Sequence, residues 1–254
     1  LSGGIDSALT ATVAVDALGS ENVIGVAMPS KYNSKESLID AKSLAANLKI
    51  EFKTIEIETI VENFRTTLAD IINEDLGQTT DENIQSRVRG NVLMALSNQT
   101  GAMVVSTGNK SEMAVGYSTL YGDLAGGFAL LKDLYKTEVY NLSNFRNTIS
   151  HVIPQNTIDK EPSAELRPNQ FDKDSLPEYD LLDKILRLYI EEDSSSEKII
   201  SSGINENIVY DVLSKVDRNE YKRKQVAPGV KLTEKAFGKD RRMPITNTYI
   251  RERD

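Results

Sequence analysis

The sequence predicts an α/β protein with a doubly wound parallel sheet and a helical appendage at its C-terminal end. Short, continuous apolar runs alternate with longer stretches of helical periodicity through the first half of the chain. Two of those runs stop at Pro29 and just before Gly108, as buried strands do where the backbone turns out of a sheet. The second half carries helical periodicity alone.

The first helix is expected over residues 5–18, with Ala8, Leu9, Val13 and Ala17 spaced for one face and Gly19 at its end. Residues 23–28 are apolar without interruption, the pattern of a strand buried on both faces. A helix capped by Ser34 follows, with Leu38, Ala41, Ala45 and Leu48 on its inner side. Residues 52–57 read as the next strand, 59–73 and 82–99 as two helices, and 102–106 as a further buried strand. In such a sheet ligands gather at the carboxyl ends of the strands, which brings the opening loop, Met28-Pro29-Ser30 and Thr107-Gly108-Asn109 to one crevice. Residues 116–127 and 161–178 read as long binding loops or lids. Beyond them Leu182, Ile185, Leu186 and Tyr189 share one helical face, and Val209, Val212, Leu213 and Val216 another, ahead of a basic tail. The chain thus divides into an α/β core, 1–160, and a C-terminal part of the same domain, 161–254. Because it opens on a loop that should follow a strand, a longer native N-terminus is expected.

With 254 residues, 39% of them hydrophobic, the chain can bury a substantial core. A net charge of -8 disfavours nucleic acid and anionic membrane as partners. No apolar run reaches membrane-spanning length and no leader precedes the first motif, so a soluble, cytoplasmic protein is expected. Cysteine is absent and His151 is the single histidine, which excludes disulfides, thiolate nucleophiles and Cys/His zinc sites. His151 stands beside a turn without a visible partner and is expected to be structural. Any chemistry must run on carboxylates, lysines, hydroxyls and bound metal.

The opening loop carries the strongest chemical signal. In Ser2-Gly3-Gly4-Ile5-Asp6-Ser7 the two glycines let backbone N–H groups curl around an anion, two serines add hydroxyls, and the following helix presents its positive end. The lysine of a kinase-type phosphate loop is missing, and no dinucleotide-fold glycine fingerprint occurs elsewhere. A loop that grips β- and γ-phosphates without a transfer lysine leaves the α-phosphorus open to attack. Asp6 can bring Mg²⁺ to the same phosphates.

This hexapeptide resembles the S-G-G-x-D-S signature of the ATP pyrophosphatase superfamily, whose members split ATP into AMP and pyrophosphate while adenylating an acceptor oxygen. The resemblance implies an adenine nucleotide alpha hydrolase-like (Rossmann-like) sheet. The stretch from Ser106-Thr107-Gly108 through Glu112 to Tyr121-Gly122-Asp123 is similar to NAD synthetase, and so is Asn83-Ile84-Gln85-Ser86-Arg87-Val88-Arg89. That resemblance implies ATP contacts by Ser2, Gly3, Gly4, Ile5, Asp6, Ser7, Met28, Thr107, Lys136 and Ser163. It implies deamido-NAD contacts by Asn83, Arg87, Glu112, Asp123 and Lys222, with Asp6 and Glu112 as Mg²⁺ ligands and Asp6 and Lys136 at the centre of catalysis. Asn83 and Arg87 stand at i and i+4 on one helical face. Leu120 and Gly127 depart from the ammonia-using, single-domain members. Residues 122–128 and 236–245 look more like the glutamine-dependent ones, which carry an upstream glutaminase domain.

The reaction implied is adenylation of the nicotinate carboxylate of deamido-NAD followed by attack of ammonia, with a homodimer or larger assembly as the oligomeric form. The loop alone leaves other readings open, namely a GMP synthetase-like acceptor or a nucleotide-binding module without turnover.

Overall fold

The computed structural model describes residues 1–72 and 76–246. Helix α1 (Ile5–Leu18) leads to β1 (Ile24–Ala27), α2 (Lys35–Leu48), β2 (Glu51–Thr54), α3 (Glu58–Ile72), α4 (Gln78–Thr100) and β3 (Val105–Ser106). There follow α5 (Lys110–Val115), β4 (Phe128–Ala129), α6 (Lys136–Ile149), α7 (Gln155–Asp159), α8 (Tyr179–Leu186), α9 (Ser196–Ser201), α10 (Glu206–Arg218) and α11 (Glu220–Arg223). The end expected for the third helix, Asn73, lies outside the described residues, as does the last part of the basic tail. No described helix is long and apolar enough to cross a membrane.

The strands are parallel, as the alternation predicts, but they are shorter than the apolar runs. They lie in two pairs: β1 with β2, from Ile24↔Glu51 to Ala27↔Thr54, and β3 with β4 at Val105↔Phe128 and Ser106↔Ala129. The Leu1 amino group donates to the Val26 carbonyl, and Leu1, Val26 and Val105 line one cavity. The expectation of a first strand buried on both faces therefore fails in part, since Ile24 is 40% exposed.

Local chemistry sets the helix ends. Ser34 caps α2 by accepting from the Ser37 N–H at 3.1 Å, as its position predicts. The first turns of α1 are buried through Ile5, Ala8 and Leu9, but Val13 and Ala17 are exposed, against expectation. Only the N-terminal half of α1 faces the core; its later turns run along the surface, where Asp16 pairs with Arg146 of α6 at 2.7 Å. The two long loops, 116–127 and 161–178, hold no helix longer than a single 3₁₀ turn at Asp172–Asp174.

Two main clusters form the core. One joins Ile5, Leu9, Leu44, Leu48, Leu131 and Ile153 around the phosphate-loop helix. The other gathers Leu182, Ile185, Leu186, Val209, Leu213 and Val216, and it also takes in Ala114, Val115 and Tyr135. The C-terminal helices thus share a core with α5, and the division at residue 160 does not separate two packing units. Leu213 is fully buried in that cluster. Leu213→Ala is expected to lower unfolding stability by about 2–5 kcal/mol, measured by urea denaturation.

Candidate active site

The loop before α1 is shaped by close packing. Gly3 has φ +85°, and a Cβ built on it would lie 2.3 Å from the Ser37 carbonyl oxygen, so glycine alone fits there. Gly4 is the N-cap of α1 and offers no side-chain oxygen, which leaves the first-turn N–H groups without a side-chain cap. Ser7 Oγ donates to the Gly4 carbonyl at 3.0 Å and accepts from the Ser2 N–H at 3.1 Å, tying the loop into a ring. The loop has the curled shape the sequence suggests and stands at the positive end of a 14-residue helix.

Beside it lies a compact charge cluster. Lys136, the first residue of α6, donates from Nζ to Asp6 Oδ2 at 2.5 Å and to Glu112 Oε1 at 3.5 Å. Asn109 donates from Nδ2 to Asp6 Oδ1 at 2.8 Å and from its backbone N–H to Glu112 Oε2 at 3.3 Å while capping α5, so one residue orders both carboxyl groups. Asp172, from the 161–178 loop, is buried in the same cluster, and the Tyr179 hydroxyl donates to it at 2.8 Å. Burial works against the Lys136 ammonium, but Asp6, Glu112 and Asp172 outweigh it and hold its pKa above the usual lysine range. Burial, reinforced by Asp6 and opposed by Lys136, pushes the Glu112 carboxyl up to about 8.

Three carboxyl groups therefore surround one ammonium. No group of three acidic side chains is arranged to cage a metal among the described residues. The donor set fits a Mg²⁺ that arrives on phosphate, because that ion takes one or two protein carboxylates and fills its shell with phosphate and water oxygens. Asp6 and Glu112 are the pair available for it.

Two cavities meet here. The smaller, about 190 Å³, is lined by Ser2, Gly4, Ile5, Asp6, Ser7, Glu112 and Lys136; the larger, about 520 Å³, by Met28, Asn83, Asp123 and Lys222. Thr107 and Ser163 face both. Gly3 sits behind the wall, against Ser37. Lys222 donates from Nζ to the carbonyls of Gly116 and Ser118 at 2.7 Å each, and Thr119 donates from Oγ1 to Asn83 Oδ1 at 2.8 Å. The residues expected at the dinucleotide side thus brace the 116–127 loop.

Arg87 is the exception. It is exposed, donates from Nε to the Leu120 carbonyl at 3.2 Å and does not line the cavity. The α4 stripe facing the cavity runs through Glu82, Ser86, Arg89 and Leu93, and Arg87 lies about 100° round from Ser86. Arg89 takes the cavity position, donating to the Met28 carbonyl at 3.0 Å. Burial lowers its pKa to about 10. Sequence reasoning quoted Arg89 and placed Asn109 at the crevice without giving either a role, and missed Asp172 and Tyr179; the signal for Asn109 is its position three residues before Glu112. His151 is exposed and lines neither cavity.

A pH dependence follows from Glu112. Its folded pKa lies above its ordinary value, so the folded state keeps a proton that the unfolded chain releases, and stability falls as pH rises from about 4.5 through about 8. Glu112→Gln cannot ionise. In metal-free buffer its melting temperature is expected to gain on the wild type between pH 5 and pH 9, whereas parallel curves would refute the shift.

The family model for NAD synthase matches residues 1–226. A glutamine-dependent NAD(+) synthetase of Aquifex aeolicus is 55% identical over 251 residues, covering 99% of this chain and 44% of its own. The enzyme of that name from Thermotoga maritima is 54% identical over 251 residues, covering 98% and 44%. The chain therefore spans less than half the length of these curated relatives. Among solved structures, glutamine-dependent NAD+ synthetase from Acinetobacter baumannii, in complex with adenosine diphosphate, matches with a TM-score of 0.63 at 48% identity over 96% of this chain and 44% of that one. NMN synthetase from Francisella tularensis matches with a TM-score of 0.75 at 29% identity over 92% and 86%. With a family match over most of its length and the glycine loop, paired carboxylates and lysine assembled at one crevice, the chain belongs to the NAD synthase family.

Proposed function

We propose that this chain is an ATP-dependent ligase that amidates the nicotinate carboxylate of deamido-NAD, giving NAD, AMP and pyrophosphate. One observation carries the reading: the Lys136 ammonium stands between Asp6 and Glu112 beside a glycine loop that has no transfer lysine. That arrangement supports departure of pyrophosphate and offers nothing to carry a γ-phosphoryl group. The names of the relatives support the same acceptor class.

In this reading Ser2, Gly3, Gly4, Ile5, Asp6 and Ser7 grip the β- and γ-phosphates, with Lys136 and Ser163, while Met28 and Thr107 face the rest of ATP. Mg²⁺ entering with the triphosphate is assigned to Asp6 and Glu112, where it would offset phosphate charge. A carboxylate oxygen of deamido-NAD attacks the α-phosphorus and the bond to the β-phosphate oxygen breaks. Lys136 and the loop N–H groups stabilise the charge that develops on pyrophosphate. Ammonia then adds to the acyl carbon and AMP departs, so no protein nucleophile is needed. Asn83, Asp123 and Lys222 are assigned to deamido-NAD, and Arg89 supplies the guanidinium in the cavity. Arg87 is given to a wall completed by a second copy in a homodimer. Glutamine, through a glutaminase domain of the whole protein, is the proposed nitrogen source.

The test is incubation with ATP, Mg²⁺, deamido-NAD and ammonium, with NAD and AMP expected in equal amounts. Formation of ADP would overturn the reading, as would turnover only with xanthosine monophosphate or nicotinate mononucleotide. Asp6→Asn is expected to lower kcat/KM by at least about 100-fold. Wild-type activity in that variant would remove Asp6 from the phosphate site.

A further inference from the structure

The 161–178 loop covers both cavities through Ser163 and Ala164. Few apolar contacts hold its first half: Ala164, Pro168 and Asn169 are exposed, Phe171 is 36% exposed and Leu166 is half-buried. Its attachment is polar, and Glu165 is the centre of it. The Glu165 carboxylate accepts from Asn33 Nδ2 at 2.9 Å, Ser34 Oγ at 3.0 Å and Ser37 Oγ at 2.6 Å, all at the N-terminus of α2, where the helix favours negative charge. Its backbone sits at φ +49°, a conformation uncommon outside glycine that the side-chain contacts help to hold.

Two features make this anchor specific. Asn33 is fixed in orientation because its Oδ1 accepts from the Ser30 N–H at 2.8 Å and from Arg89 at 3.0 Å, which leaves Nδ2 for Glu165. On the loop side, Ser163 Oγ accepts from the Glu165 N–H at 3.1 Å and donates to the Gln170 carbonyl at 2.6 Å, which ties Ser163 to Glu165 within the loop. The neighbouring Leu166 carbonyl accepts from Gln85 of α4 at 2.9 Å. Contacts of this kind can open without exposing a core, as a lid that admits substrate requires.

We propose that Glu165 is the latch of this loop: a positioning residue whose carboxylate closes the loop on Asn33, Ser34 and Ser37 and so holds Ser163 over bound ATP. The proposal rests on the reading of the site given above. Its test uses the full chain and two readouts, the rate of tryptic cleavage after Lys173 within the loop, taken without substrates, and KM for each substrate. Glu165→Ala is expected to speed cleavage about tenfold with the melting temperature unchanged, and to raise KM for ATP about tenfold while KM for deamido-NAD moves less than about twofold. Asn33→Asp, which sets a second carboxylate against Glu165, should do the same. The exchange pair Asn33→Asp with Glu165→Gln should recover most of both effects, which a merely structural role would not produce. Wild-type cleavage in Glu165→Ala, or faster cleavage without a change in KM for ATP, overturns the latch. Failure of the wild-type chain to make NAD would instead sink the proposed function, and the cleavage rates would still judge the latch.

Discussion

Three segments far apart in sequence are drawn together by one buried ammonium. Lys136 begins α6, Asp6 lies in the first turn of α1 and Glu112 in the first turn of α5, and each helix presents its N-terminal end to the others. An unpaired lysine at this depth would cost several kcal/mol, so its presence demands carboxylates close by. The carboxylates demand the same of it. The packing of α1 on α6, and the two core clusters that support α1 and α5, serve to keep this cluster at hydrogen-bonding distance. The glycine loop gains its shape from the same arrangement, since Gly3 is pressed against α2 while Asp6 is tied to α5.

Much of this is legible before any coordinates. Helical periodicity placed α1, α2 and α4 to within a few residues, with Gly19 and Ser34 marking ends of the first two. Strands were harder. An apolar run says that residues are buried but not that they find a ladder partner, and only Val105 and Ser106 of the run at 102–106 do so. The face of α1 was misjudged for a related reason: periodicity gives a stripe without saying how far along the helix the core extends.

The site shows the same division. Residues of the contiguous motif lie together along one cavity, because local geometry fixes the loop. Arg87 and Arg89 show the limit, since an i, i+4 pair identifies a common face but a turn of 100° decides whether that face looks into the cavity. Asp172 and Tyr179 gave no sign, because they reach the cluster from a loop, and from the first residue of the helix after it, whose path is set by contacts such as the Asp172 N–H to the Pro162 carbonyl at 3.0 Å. Glu165 is of that kind too, 128 residues from its partner Ser37.

Helix α5 is only six residues long and would not persist alone. It is closed at one end by the Asn109–Glu112 capping box and at the other by Gly116 at φ +72°, where a Cβ would meet Asn219 at 2.1 Å. The carboxylate that lines the smaller cavity is therefore also the fastener of the helix that carries it. Glu112 has no freedom to drift: a shorter or longer side chain would alter the scaffold and the site in one step, whereas Gln, which can still accept from the Asn109 N–H, would change the charge alone.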